Sequence, residues 1–207
     1  MTVASVQRPR PVLDRERERR LTDRQRELLD ALGALFDSGF ADLTMAEIAS
    51  RLNCSMRTLY ALAPSRDELV LIVVDRNLWR IGRSAEGAIE SDMPPLDALR
   101  AYLEAAHEAV SGTTQAFARD LDAVPAAQRL QDEHNGYLTA VTRRLLDLAA
   151  ERGDIAPVDT GAVARVLGHL GRDFARPDVI PTLDTTPKEA ADAMVAVVLH
   201  GLRTGAP

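Results

Sequence analysis

The stretch LNCSMRTLYALAPSRDEL, residues 52–69, decides the fold prediction because it places two helix starts around one helix stop. Residues 53–55, Asn-Cys-Ser, are typical of a tight turn, and the residues after them predict a helix of about two turns. Pro64 ends that helix, because the residue before a proline is biased away from helical backbone. Ser65 then begins another helix. A helix this short, with a polar outer face, fits a surface that contacts another molecule better than it fits a core.

The turn and the short helix together predict a helix-turn-helix. Such a turn needs a residue that tolerates left-handed backbone, and asparagine, here Asn53, is one of the few besides glycine that does so. Ser55 is suited to cap the second helix of the pair. The positions expected to face the core are Ile48, Leu52, Cys54 and Leu59. Arg57, Thr58 and Tyr60 would lie on the opposite face, which in this motif enters a major groove of DNA.

Helix starts are marked by capping boxes, in which Ser or Thr is followed three residues later by Glu or Gln. The pattern occurs at Thr22–Gln25, Thr44–Glu47, Ser65–Glu68 and Thr186–Glu189. Together with the apolar spacing, it predicts helices that begin near residues 22, 44, 55 and 65, the fourth being long. Further helices are predicted over 95–111, 114–122, 126–152, 159–175 and 187–204. No segment has a convincing strand periodicity, so we predict an all-α fold of about nine helices.

Composition and charge narrow the class of protein. The 207 residues are 46% hydrophobic and 4% aromatic, which favours packed helices. Cys54 is the single cysteine, which excludes an intrachain disulfide, and the apolar runs are far shorter than the roughly 20 residues that cross a bilayer. The net charge is −6, but residues 1–66 hold eleven arginines and nine acids, whereas the remainder holds fourteen basic and twenty-two acidic residues. We therefore expect a cytoplasmic protein without a membrane partner, whose front part alone meets phosphate.

Residues 22–75 resemble the DNA-binding domain of the TetR family of bacterial transcriptional regulators. The family ends this domain in a pattern similar to T-L-Y-x-x-F-x-S-K-E-x-L, and residues 58–69 read TLYALAPSRDEL. Arg66 stands where Lys is usual, Ala63 where Phe is usual, and Asn53 where the turn usually has Gly. The resemblance implies a three-helix N-terminal helix-turn-helix domain, joined through a long fourth helix to a helical-bundle regulatory and dimerisation domain.

By position, the resemblance also implies which residues contact DNA. Phosphate contacts would come from Thr44, Ser55, Thr58, Tyr60 and Arg66. Arg57 is the best candidate for reading a base, because a guanidinium can pair with both O6 and N7 of guanine. Met56 would touch a thymine methyl group. The phosphate contacts would set the register, and the base contacts would set the sequence preference.

The domains implied are a flexible N-terminal arm over residues 1–21, the helix-turn-helix domain over 22–67, and a ligand-binding and dimerisation domain over 68–207. The arm has two interpretations. Arg8 and Arg10, beside prolines, would let an extended arm reach the minor groove or the DNA backbone. Alternatively, the alternating arginine and glutamate of residues 15–20 form a solvated lead-in to the first helix. We favour the second interpretation, because interleaved acids cancel most of the positive field.

Two apolar helices near the C-terminus predict a homodimer interface. The candidate interface residues are Val163, Val166, Leu167, Leu170, Phe174, Met194, Val195, Val198, Leu199 and Leu202. Gly168 and Gly171 would permit close backbone approach. The alternative is that these stripes bury against their own domain, and some of each is expected. A dimer would let two short helices read a pseudo-palindromic operator about one DNA turn apart.

The resemblance further implies a small-molecule ligand among the middle helices. The candidate pocket residues are Trp79, Tyr102, His107, Phe117, Tyr137 and Val141. Aromatic residues at helical spacing are more often core than pocket, and this alternative stays open. Glu104 and His107 share one helical face as a metal-binding pair would, but no second such motif completes a site. We therefore expect neither metal nor cofactor.

Local catalytic signatures are missing from the sequence, which has no G-x-S-x-G elbow, G-x-x-x-x-G-K loop, H-E-x-x-H helix or Gly-rich dinucleotide loop. We therefore expect a regulator and not an enzyme. The functional expectation is a homodimeric repressor that an unidentified small-molecule inducer releases from a DNA operator. The alternative is a helical ligand-binding or adaptor protein that has lost operator binding. The presence of Ala63 where Phe is usual would reflect that loss.

Overall fold

The computed structural model describes residues 6–204, which contain ten α-helices, one 3₁₀ turn and no strand. The all-α prediction is confirmed. The helices are α1 (Arg15–Arg20), α2 (Asp23–Phe36), α3 (Met45–Arg51), α4 (Met56–Leu62), α5 (Arg66–Gly87), α6 (Pro95–Ser111), α7 (Gln115–Asp122), α8 (Pro125–Glu151), α9 (Thr160–Phe174) and α10 (Pro187–Thr204), and the 3₁₀ turn is Ile180–Thr182. None of the helices within this range combines the length and the apolar content that a membrane span requires.

Capping side chains explain where several helices begin. Before α2, Thr22 Oγ1 accepts a hydrogen bond from Gln25 N at 3.2 Å, while the Gln25 side chain accepts one from Thr22 N at 2.9 Å. The same reciprocal pattern forms before α3 and before α10. Each box satisfies backbone N–H groups that the first turn of a helix leaves unpaired. The helix starts predicted from these boxes are confirmed.

The N-terminal segment differs from the flexible arm expected over residues 1–21. Leu13 and Leu21 are buried in the core, and Val12 N donates a hydrogen bond to Asp75 Oδ2 at 2.9 Å. These contacts hold the segment against the core, because burying two leucine side chains removes their apolar surface from water and lowers the free energy.

Helix α1 was not predicted as a separate element. Its sequence, RERERR, has no apolar period, so the usual signal for a helix is missing. Asp14 caps it, with the carboxylate accepting a hydrogen bond from Arg17 N at 2.7 Å. Residues 1–5 of the expected arm lie outside the described range.

The described residues divide into two compact units. The helix-turn-helix unit comprises residues 9–79 and 113–132, and the second unit comprises residues 6–8, 80–112 and 133–204. This division differs from the sequence-based boundary, which placed everything after the helix-turn-helix motif in one domain. Helix α7 and the start of α8 belong with the helix-turn-helix unit instead.

Aromatic packing explains why α7 belongs there. Phe36, Ile48 and Leu59, on α2, α3 and α4, are fully buried in the core of the helix-turn-helix unit. Phe40, in the turn between α2 and α3, lies 5.2 Å from Phe36 between ring centroids and 5.7 Å from Phe117 of α7. Both spacings suit tilted aromatic pairs. Phe117 therefore completes this core.

The second unit packs α6, α8, α9 and α10 around buried leucine, valine and alanine side chains. A Cβ atom at Gly168 would lie 2.6 Å from Thr139 Oγ1, and one at Gly171 would lie 2.8 Å from His107 Cδ2. These separations are shorter than real carbon contacts, so any larger residue would force the neighbours to move. Within this unit, the two glycines thus serve close packing inside the chain.

Candidate nucleic-acid interface

The turn between α3 and α4 has the left-handed geometry expected of a helix-turn-helix. Asn53 has φ of 47°, and it is the only non-glycine residue with positive φ among residues 6–204. The N–H of Cys54 donates to the carbonyl of Ala49 at 2.9 Å, and that of Asn53 donates to Ser50 at 3.2 Å. These bonds close the end of α3 around the turn. The role predicted for Asn53 is confirmed.

Replacing Asn53 with alanine should lower the free energy of unfolding by about 1 kcal/mol, because left-handed backbone costs most side chains roughly 1–2 kcal/mol. Asn53→Gly is the matched control and should leave stability nearly unchanged. Thermal unfolding should move by roughly 2–4 °C for the alanine variant of a chain this size. Equal melting temperatures for the two variants would contradict the prediction.

Helix α4 separates a buried face from an exposed one. Leu59 and Leu62 are buried, whereas Tyr60 is 51% exposed and Met56 is 36% exposed. Arg57 is exposed as well, and no hydrogen bond or ion pair engages it within residues 6–204. Three of the four side chains of this helix that are predicted to contact DNA, Met56, Arg57 and Tyr60, therefore project from a helix whose opposite side is anchored.

The two hydroxyl residues at the start of α4 are engaged with each other. Ser55 Oγ accepts a hydrogen bond from Thr58 N at 3.1 Å and lies 2.8 Å from Thr58 Oγ1. This cap fixes the first turn of α4, because it satisfies a backbone N–H that the helix itself leaves unpaired. One of the two hydroxyl protons lies in the bond between the oxygens, which leaves the other hydroxyl able to donate to a phosphate oxygen.

Thr44, the third predicted hydroxyl contact, is occupied by its own cap. Its hydroxyl and its N–H both donate to Glu47 Oε2, at 2.7 Å and 2.8 Å. Hydrogen bonds from the hydroxyl first, and from the N–H second, lower the pKa of the Glu47 carboxyl. A phosphate reaching Thr44 would have to displace that carboxylate. The phosphate contact at Thr44 stays a prediction.

Arg66 contacts its own chain. Its Nη2 donates to the carbonyl of Phe40 and, at 2.7 Å, to that of Ala41. Its Nη1 lies 3.3 Å from Asp67 Oδ1, and its Cζ lies 6.0 Å from the centroid of the Phe40 ring. The guanidinium that was predicted to bind phosphate therefore holds the turn between α2 and α3.

Asp120 is a functional candidate that sequence reasoning missed. It is only 5% exposed, and its Oδ2 accepts hydrogen bonds from Phe40 N at 2.5 Å and Ala41 N at 2.8 Å. Burial favours the neutral carboxyl, but the hydrogen bonds from Ala41 and Phe40, together with Arg119, outweigh burial, so the pKa of Asp120 is lowered. The partners are about 80 positions apart in sequence, so no local pattern signals the contact.

Asp120→Asn should lower the free energy of unfolding near neutral pH by about 1–3 kcal/mol, the usual range for hydrogen bonds to a buried charged group. A carboxyl whose folded pKa is lowered stabilises the fold above its unfolded pKa, and this contribution is lost as pH falls through the folded pKa. The difference between wild type and variant should therefore shrink as the pH falls below the ordinary aspartate value of 3.8. Urea unfolding of both proteins across this range measures it. A difference that stayed constant in acid would contradict the prediction.

The C-terminal end of α4 is held by the N-terminal segment. Arg17 Nη2 donates to the carbonyl of Leu62 at 2.7 Å. That carbonyl belongs to the last turn of α4, where carbonyls lack partners inside the helix and a positive charge is favourable. Together with the Ser55 cap, this bond fixes both ends of the helix that carries Arg57 and Tyr60.

The candidate pocket residues do not all come together. Tyr102, His107, Tyr137 and Val141 are buried in the second unit, whereas Phe117 lies in the core of the other unit. Trp79 is half-buried, and it is the last residue of the segment 9–79 in the helix-turn-helix unit.

Two of the pocket candidates carry polar contacts inside the second unit. The Tyr137 hydroxyl donates to Glu86 Oε1 at 2.7 Å, and His107 Nδ1 lies 2.7 Å from Asp192 Oδ1. Burial raises the pKa of the Tyr102 hydroxyl. The unit therefore holds buried polar groups within an apolar core.

The candidate dimer residues separate into a buried set and an outer set. Leu167, Leu170, Val195 and Leu199 are buried in the core of the second unit. The others are partly or well exposed: Val163, Val166, Phe174, Met194, Val198 and Leu202. Val166 is 56% exposed, and Val197, which the sequence reasoning did not name, is 65% exposed. We refer to Val166 of α9 together with Met194 and Val197 of α10, all exposed in the single chain, as the outer apolar face. The dimer contact of this face stays a prediction.

No protein-family model and no curated protein sequence matches the chain. Solved structures do match it. A TetR transcription regulator from Haloarcula marismortui matches with a TM-score of 0.72 and 20% identity, over 88% of this chain and 99% of that one. A regulatory protein of the TetR family from Rhodococcus RHA1 matches at 0.64 and 20%, over 90% and 100%. The TetR-family regulator PfmR from Thermus thermophilus matches at 0.62 and 22%, over 84% and 98%. The chain therefore has the fold of TetR-family transcriptional regulators.

Proposed function

We propose that the protein belongs to the TetR family and regulates transcription by placing α4 in a major groove of DNA. The observation that carries this proposal is the exposed face of α4, where Met56, Arg57 and Tyr60 project from a helix anchored by Leu59 and Leu62. A short helix fixed at both ends, with a free arginine near its N-terminus, has the form of a recognition helix. The shared fold supports the same function.

In this proposal Arg57 reads guanine, since its guanidinium can pair with O6 and N7 together. Met56 lies against a thymine methyl group. The phosphate oxygens are bound by Thr44, Ser55, Thr58 and Tyr60. Arg66 is not counted among these contacts, because its guanidinium is engaged by two backbone carbonyls.

The protein acts as a homodimer in this proposal, with the second unit supplying dimerisation and ligand binding. Support comes from the outer apolar face, because exposed valine and methionine side chains on two neighbouring helices are typical of a surface that is covered in the assembly. Two-fold symmetry would bring two copies of α4 to half-sites roughly 34–36 Å apart on one face of the duplex.

Ligand control completes the proposal. A cytoplasmic small molecule would change operator affinity by binding one arrangement of the dimer more tightly than the other. The ratio of its two affinities limits the size of that change. The buried polar groups of Tyr102, His107 and Tyr137 support a ligand site in the second unit. Release on ligand binding would make the protein a repressor.

Operator binding is tested with the purified protein and the DNA upstream of its own gene. We expect footprinting to reveal protection of a pseudo-palindrome. The affinity should fall steeply as salt rises, because each neutralised phosphate releases counterions. Failure of the wild-type protein to bind any such fragment at low ionic strength would contradict the proposed function.

The second candidate is a helical adaptor that has lost operator binding. Three observations favour it: Ala63 is buried where the family has Phe, the Thr44 hydroxyl is engaged by Glu47, and the Arg66 guanidinium is engaged by carbonyls. The same binding experiment separates the two functions, since an adaptor would bind neither the upstream fragment nor random DNA beyond background.

A further inference from the structure

Two side chains from outside the turn between α2 and α3 hold every backbone polar group of Phe40 and Ala41. Both N–H groups donate to Asp120 Oδ2, at 2.5 Å and 2.8 Å. Both carbonyls accept hydrogen bonds from Arg66 Nη2. One carboxylate oxygen and one guanidinium nitrogen therefore fix this dipeptide from two sides.

The dipeptide controls how the chain enters α3. The carbonyl of Phe40 also accepts a hydrogen bond from Leu43 N at 3.1 Å, and Thr44, the next residue, is the N-cap of α3. Gly39, just before it, has φ of +99°, and a Cβ atom there would lie 3.1 Å from Asp120 Oδ2. The turn is thus shaped both by a backbone conformation that suits glycine and by the close approach of the carboxylate.

The buried Asp120 carboxylate connects α7 to the turn. Asp120 is buried, and a buried charge is tolerated only when it is paired and hydrogen-bonded. The two N–H groups supply that compensation, while Arg119 approaches the other carboxylate oxygen at 3.3 Å. Separating α7 from the turn would break both hydrogen bonds to this carboxylate, so the contact should hold the two segments together.

We propose that Asp120 and Arg66 are positioning residues for operator binding, which set the orientation of α3 and α4 by fixing the turn at residues 40–41. This inference rests on the proposed function. It assigns Arg66 a role different from a phosphate contact. It also makes a residue of α7, outside the helix-turn-helix motif, a determinant of DNA affinity.

The effect on DNA binding distinguishes a positioning residue from a phosphate contact. Asp120→Asn and Arg66→Gln should each raise the operator Kd roughly tenfold, because each removes charge-assisted hydrogen bonds to the turn. The slope of log affinity against log salt should stay unchanged, since no phosphate contact is lost. Arg66→Lys should weaken binding as Arg66→Gln does, because a lysine cannot reproduce the paired geometry of the guanidinium.

Matched controls come from the same unit. Asp122→Asn, two positions along α7, and Arg129→Gln, on α8, alter exposed charges of the same kind and should leave the Kd within about twofold of wild type. The double variant Asp120→Asn with Arg66→Gln should lose less than the sum of the two single losses, because both act on one turn.

Several results would overturn the assignment. One is an unchanged Kd for Asp120→Asn. Another is a salt slope reduced by about one for Arg66→Gln with binding restored in Arg66→Lys, which would make Arg66 a phosphate contact. If the wild-type protein bound no DNA, the proposed function would fail. Amide hydrogen exchange would then test whether Asp120 fixes the turn. Exchange at Phe40 and Ala41 that is at least about tenfold faster in Asp120→Asn, with α2 unchanged, supports this role of Asp120. Equal exchange in the two proteins overturns it.

Discussion

Arg57→Ala should weaken operator binding by roughly 30-fold or more while leaving the fold intact. A bidentate arginine–guanine pair contributes about 1–3 kcal/mol of discrimination, and a dimer makes two such pairs. Arg57 is exposed and unpaired within residues 6–204, so its removal disturbs no contact of the described chain. Fluorescence anisotropy with the footprinted operator measures the loss.

Sequence preference provides the sharper readout for Arg57. Operators with single base-pair changes should bind wild type with a clear penalty at one guanine in each half-site, and the alanine variant should lose that penalty. Arg129→Ala, which removes an exposed arginine of the same unit, is the control and should keep it. A penalty that survived in Arg57→Ala would assign base reading to another residue.

Combined Val166→Glu and Val197→Glu should convert the protein to monomers and reduce operator affinity by roughly 100-fold or more. The two valines are 56% and 65% exposed in the single chain, so glutamate is tolerated in the folded monomer. In a symmetric interface each substitution occurs twice, and burying unpaired carboxylates costs several kcal/mol per ion. A monomer then loses the gain from linked binding, which reaches roughly 10²–10⁴.

Sedimentation velocity measures the mass of this variant, and DNA binding is measured on the same samples. Val12→Glu places the same charge on an exposed valine of the helix-turn-helix unit and should leave the dimer unchanged. A double variant that remained dimeric at micromolar concentration would place the interface elsewhere on the molecule.

Elements set by neighbouring residues were predictable from the sequence. The Thr22 and Thr44 caps each involve a partner three residues away, so their pattern is legible in the chain itself. The Asn53 turn follows from a single residue type that tolerates left-handed backbone. The exposed face of α4 follows from the spacing of its apolar residues, and its contact with DNA stays a prediction.

Elements set by distant partners were not predictable. Asp120 and Phe40 are brought together only by folding, and nothing near Arg66 in the sequence indicates that its guanidinium turns toward carbonyls. Apolar spacing alone also failed to separate Leu167, which is buried, from Val166 beside it, which is exposed. Helix α9 is apolar on more than one side, and periodicity does not say which side the chain itself covers.

The discontinuity of the helix-turn-helix unit limits how its DNA specificity can be transplanted. A chimaera that exchanged only residues 22–67 with a relative would leave the native α7 facing a foreign turn, whose backbone N–H groups would have to lie where the native turn places them to meet the Asp120 carboxylate. A transplanted helix-turn-helix motif should therefore keep its sequence preference only when residues 113–132 are transferred as well. Evolution by shuffling of the N-terminal segment alone would meet the same constraint.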